Sequence, residues 1–145
     1  MKVIYNDGGR KAAGYKGKSG DCVTRAVAIA SGLPYETVYQ RLSLGEATKR
    51  ITKRSRRKTS ARDGVATKRK WFTDYIQSLG FEWVPTMFIG QGCKVHLRDG
   101  ELPMGTLIVN VSRHLVAVID GVIHDTHDCS RRGNRCVYGY WKKTR

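Results

Sequence analysis

Long apolar runs are missing from this 145-residue chain. No stretch approaches the ~20 apolar residues that a membrane span needs. The opening MKVIYNDGGRKAAGYKGKSGD also lacks the apolar core of a secretory signal. These absences predict a soluble, cytoplasmic protein with no membrane partner. Acidic residues are scarce, 12 against 27 Lys and Arg, and the formal net charge is +15. That balance excludes an acidic disordered chain and fits a neutral scaffold poorly. Cysteines number four: Cys22, Cys93, Cys129 and Cys136. Without an export signal, free thiols or a metal site are expected ahead of disulfides. No Walker A sequence, EF-hand loop, zinc-finger or RRM signature, or internal repeat is present, nor a GxGxxG in strand–helix context. No cofactor is expected.

What is present suits one domain over residues 1–145, with 40% apolar and 9% aromatic residues for a core. The positive charge is localised. Residues 49–70 hold 11 of the 27 basic residues and a single acid, Asp63, so +10 of the +15 lies there. Within them, residues 49–60 read as an exposed basic loop that cannot bury itself. Lys49, Arg50, Lys53, Arg54, Arg56, Arg57 and Lys58 are its candidate phosphate contacts, with nucleic acid as the partner. A solvated linker with no ligand explains the same run equally well. No aromatic residue interleaves with it to stack on single strands.

Hydrophobic periodicity orders the rest. Lys2–Tyr5 can form a short strand. Asp21 is a suitable N-cap for a helix carrying Val23, Ala26, Val27 and Ala30, stopped by Gly32. Pro34 suits the first turn of a second helix running to about Leu42. Asp63 can cap a third, with Trp71, Phe72, Tyr75, Ile76 and Leu79 on one face and Gly80 at its end. Strands then follow at 81–84, 87–89, 106–111, 114–119, 122–125 and 136–141. The pattern is α+β, N-terminal helices packed on a C-terminal antiparallel sheet.

Asp120-Gly121 between two apolar runs signals a two-residue hairpin turn. It sets His114 opposite His127 and Val116 opposite Asp125. His114, Val116, Asp125 and His127 then share one face, and His124 falls on the other. Asp125 becomes a diagonal neighbour of His114, able to orient an imidazole. Cys22 opens the first helix, where the helix dipole favours a thiolate. A buried core cysteine is the plainer reading of Cys22 alone.

GDCVTRAVAIASG (20–32) and SRHLVAVIDGVIHDTHD (112–128) resemble the papain-like cysteine peptidases, particularly compact bacterial members such as those that process bacteriocin leaders. The chain also resembles small phage and bacterial proteins of unassigned activity. The resemblance implies Cys22 as nucleophile, His114 as base and Asp125 as orienter. Papain relatives commonly carry Gln six residues before the Cys, where this chain has Lys16. The Cys22 backbone N–H could supply one oxyanion donor, and Asn6, Tyr15 or Ser19 another.

The expected activity is a cysteine hydrolase, a protease or amidase, with a peptide or protein substrate. The alternative is a non-catalytic nucleic-acid-binding accessory protein on the same fold. Two competing uses of the thiols stand beside these. Cys93, His96, His124, His127, Cys129 and Cys136 could supply zinc ligands, though their spacing is irregular and no metal is the favoured expectation. A Cys129–Cys136 disulfide could close the turn around SRRGNR.

Overall fold

The computed structural model describes residues 1–16, 20–47, 61 and 65–145. Its described elements run β1 (Lys2–Tyr5), α1 (Cys22–Ser31), α2 (Tyr35–Ala47), α3 (Lys70–Ser78), β2 (Phe81–Pro85), β3 (Thr106–Val111), β4 (His114–Ile119), β5 (Val122–Asp125) and β6 (Val137–Lys143). The class is α+β, as expected. The six strands form one sheet in the order β1-β5-β4-β3-β6-β2. It is mixed rather than antiparallel, because β1 joins β5 in parallel. Local alternation marks a strand without naming its partner. The parallel edge therefore leaves no trace in the sequence.

Apolar residues cover both faces of the sheet. Ile108, Leu115, Ala117 and Trp141 belong to the cluster shared with the helices. Leu107, Val109, Val116, Val118 and Ile123 form a second cluster with Leu97 and Cys129. Burial on both faces explains the near-continuous apolar runs of β3 and β4. Each fully buried Leu or Ile stabilises the fold by roughly 1.5–3 kcal/mol. A register shift between Asn110 and Val111 pairs them with Gly139 and Val137. Tyr138 is the extra residue, a bulge that keeps Val137 and Trp141 on their proper faces.

The small side chains of Ala26, Val27 and Ala30 are buried where α1 lies on the sheet. Gly32, at φ 76°, ends α1 with its N–H on the Ala28 carbonyl. The second helix runs past Leu42 to Ala47. Gly45 does not break it, because a Cβ there would sit 2.3 Å from the Trp71 indole, so the glycine makes room for α3.

Two expectations in this region need correction. The third helix begins at Lys70 with Arg69 in the capping position, while Asp63 lies outside the described residues. Before it, the Ala66 N–H donates to the buried Glu46 carboxylate of α2, which holds the chain off the helical path. Residues 87–89 are no strand either. Met87 makes one isolated bridge to Cys93, and Phe88 and Ile89 are exposed.

The hairpin turn is as read. Asp120 and Gly121 both have positive φ, 48° and 78°, the backbone of a type I′ turn. Ile119↔Val122, Val118↔Ile123 and Ala117↔His124 give the expected register. No helix among the described residues is long and apolar enough to cross a membrane.

Candidate active site

Three elements bring Cys22, His114 and Asp125 together. Cys22 is the first residue of α1. His114 opens β4 directly after Arg113, whose φ of 56° turns the chain out of β3. Asp125 ends β5, fixed on its far side by the Asn6 N–H on its carbonyl at 3.0 Å. His114 Nε2–H donates to Asp125 Oδ2 at 2.6 Å, and the Thr126 N–H donates to Oδ1 at 2.7 Å. With Nε2 engaged, Nδ1 is the ring nitrogen left for another partner.

The charges follow from this geometry. Burial pushes the Asp125 pKa up, but the His114 and Thr126 hydrogen bonds and the charges of His114 and Arg25 outweigh it, leaving about 2. Burial likewise opposes protonation of His114, but hydrogen bonds with Asp125, Cys129 and Cys22 push its pKa up to about 11. For Cys22 burial disfavours the thiolate. Hydrogen bonds with His114 and the Leu115 backbone, and the charges of His114 and Arg25, reverse that and hold the thiol below its ordinary value. The arrangement favours a thiolate–imidazolium pair.

Behind these three residues lies a buried ionic network that the sequence reading missed. Asp21, 1% exposed, occupies the N-cap position of α1 but makes no capping hydrogen bond. Its carboxylate instead pairs with Arg25 one turn on and accepts from the Tyr35 hydroxyl at 2.5 Å. Arg10 donates to that hydroxyl at 2.9 Å and lies 3.5 Å from Asp21. Arg25 then spans to Asp125 at 3.4 Å, so one guanidinium braces the helix start and the Asp125 carboxylate together. The i,i+4 spacing of Asp21 and Arg25 was the available signal. A carboxylate just before a helix reads as a cap first.

A cavity of about 650 Å³ opens beside Cys22 and His114, with Asn110, Tyr138 and His127 also in its wall. Asn6 and Tyr15 do not line it. Asn6 donates to His124 Nδ1 at 3.4 Å and accepts from Gly8 N, and Tyr15 lines a separate cavity with Arg10 and Lys16. The Lys16 carbonyl accepts from Arg10. Ser19, and the basic run containing Lys49, Arg50, Lys53, Arg54, Arg56, Arg57 and Lys58, lie outside the described residues.

The other thiols correct an expectation. Cys93 and Cys136 form a disulfide, so of the four cysteines only Cys22 and Cys129 are free. The pairing is not Cys129–Cys136, and it draws both sulfurs out of the zinc set. His96 Nε2 lies 3.7 Å from Cys93 Sγ. Among the described residues, His114, Asp125 and His127 place ligand atoms within 4.8 Å of one another and would be the ones to hold a metal ion. Asp125 there already faces Arg25, a competing cation.

Comparison of the chain with protein-family models, with curated proteins and with solved structures finds no match.

Proposed function

We propose that the protein is a thiol hydrolase acting on peptide or amide bonds. The observation that carries this reading is the 2.6 Å His114–Asp125 bond beside a Cys22 thiol whose ionisation His114 favours, at the wall of a cavity. Helix-borne Cys22 against strand-borne His114 and Asp125 also agrees with the papain-like resemblance of residues 20–32 and 112–128.

In this reading the Cys22 thiolate attacks the substrate carbonyl carbon, and the carbonyl π electrons move to oxygen. The backbone N–H groups at the start of α1 face the developing oxyanion, where the helix dipole favours negative charge. The His114 imidazolium then gives its proton to the leaving amine, and the C–N bond breaks to leave a thioester on Cys22. Neutral His114 next takes a proton from water, whose oxygen attacks the thioester. The acid product leaves and the thiolate–imidazolium pair is restored. Asp125 stays ionised throughout and fixes the ring through Nε2. A protease or amidase needs no further group, and no cofactor enters these steps.

Labelling with iodoacetamide near pH 6.5 tests the reading. Cys22 should react at least tenfold faster than a cysteine in a model peptide, because its thiol ionises at lower pH. Hydrolysis of a quenched-fluorescence peptide library should disappear in Cys22→Ala. A Cys22 no more reactive than the model thiol, together with hydrolysis unaffected by Cys22→Ala, would sink it.

A further inference from the structure

Among the described residues, Arg25, Lys68, Arg113 and His114 line the wall of the Cys22 cavity, and no carboxylate does. Two acids near it among the described residues, Asp21 and Asp125, are buried at 1% and 3% exposure. Both are taken up by Arg10, Arg25, Tyr35 and His114, so they do not cancel the cations that face the cavity. Arg25 is spent in that network. Lys68 and Arg113 differ: both are exposed, and neither has an ion-pair partner among the described residues. They come from separate elements, Lys68 from the turn before α3 and Arg113 from the β3–β4 turn adjoining His114. Two unpaired cations on a concave, partly apolar wall concentrate anions there.

We propose that this cleft selects acidic peptides, with Lys68 and Arg113 binding carboxylates that flank the carbonyl attacked by Cys22. The proposal rests on the thiol-hydrolase reading and adds the substrate class to it. An acyl substrate suits the cleft better than a polynucleotide because the cations line the same cavity as a thiol suited to attack carbonyl carbon. Ile, Leu or Lys beside the scissile bond would leave the two cations unpaired or repelled.

Alkylation of Cys22 by anionic iodoacetate and by neutral iodoacetamide, located by peptide mapping, measures the field directly. The ratio of the two rate constants should exceed that of a model thiol. It should fall about threefold or more in Lys68→Gln/Arg113→Gln, and similarly in 0.5 M salt. The double variant keeps His114, so the imidazolium's own effect on the ratio is retained. A glutamate-containing peptide should protect Cys22 from iodoacetamide in the wild type, and its glutamine counterpart should protect less. Rapid iodoacetamide labelling with a ratio indifferent to the double substitution overturns this proposal alone. Slow labelling by both reagents removes the hydrolase reading and this proposal with it. Protection by a single-stranded oligonucleotide but not by the acidic peptide also overturns it.

Discussion

Replacing Asp125 by Asn removes the charge on which the proposed site depends while keeping its shape. Asp125 is 3% exposed, bonds His114 at 2.6 Å, and has Arg25 3.4 Å away. Burial alone would raise its pKa. The His114 bond leads the opposing causes and brings it from 3.8 to about 2. That drop corresponds to about 2 kcal/mol of stability. It is not added to the shift of His114, since both describe one interaction. A depressed carboxylate contributes fully above its unfolded pKa. The stabilisation is therefore complete above 3.8 and is lost as pH falls toward about 2. His114, raised from 6.5 to about 11, runs the other way: complete below 6.5 and lost as pH rises toward about 11.

In Asp125→Asn, thermal unfolding near pH 6 should show a loss of about 2 kcal/mol, and the acid limb of the stability curve should flatten. The thiol should respond as well. Without the carboxylate, the cause that leads the rise in the His114 pKa is gone and burial regains ground. The ring then loses its proton at lower pH, and Cys22 loses the cation that favours its thiolate. Iodoacetamide labelling at pH 6.5 should slow by about tenfold, with the midpoint of the pH–rate curve moved upward. Near-ultraviolet circular dichroism checks that the variant is folded. Superimposable pH–rate curves for the two folded proteins, each with the midpoint of an ordinary thiol, would refute the ion-pair argument.

Arg25→Gln should lower stability by about 1.5–3 kcal/mol in chemical denaturation, because the buried Asp21 and Asp125 lose their shared guanidinium and keep only Arg10, Tyr35 and His114. It should also move the Cys22 labelling curve to higher pH, since the Arg25 charge favours the thiolate. Gly45→Ala should destabilise by about 1–3 kcal/mol, although Gly→Ala within a helix ordinarily stabilises. The new Cβ would stand 2.3 Å from the Trp71 ring, and a stabilised variant would contradict that packing. Mass spectrometry after alkylation in denaturant without reductant should find two modified cysteines, Cys22 and Cys129, and four once the Cys93–Cys136 bond is reduced. Cys93→Ser should lower stability by roughly 3–4 kcal/mol, the contribution of a cross-link closing 43 residues. Dithiothreitol should then destabilise the wild type but not the variant.

The candidate site was legible in the sequence where short-range rules decide it. Asp120-Gly121 selects a tight turn, the turn sets the register, and the register puts His114 and Asp125 on one face. Each step spans a few residues, so composition and alternation suffice. The oxyanion candidates Asn6 and Tyr15 had no such rule behind them, and neither reaches the Cys22 cavity. The mixed sheet, the Cys93–Cys136 bond and the persistence of α2 through Gly45 each depend on a partner far along the chain. Asp21 is the instructive case. Its position before a helix made it a cap by local rules, and its side chain was claimed by Arg25, Tyr35 and Arg10 instead. A buried carboxylate gains more from two guanidinium groups and a phenol than from one backbone N–H. The same long-range logic joins Cys22 to His114. No spacing rule connects residues so far apart in sequence. The contact follows because Val23, Ala26, Val27 and Ala30 bury α1 in the core that holds Leu115 and Ala117 of β4. The position of Cys22 is therefore a packing result. Overpacking Ala26 or Ala30 with leucine should perturb Cys22 labelling by shifting the helix, with no change to the His114–Asp125 pair itself.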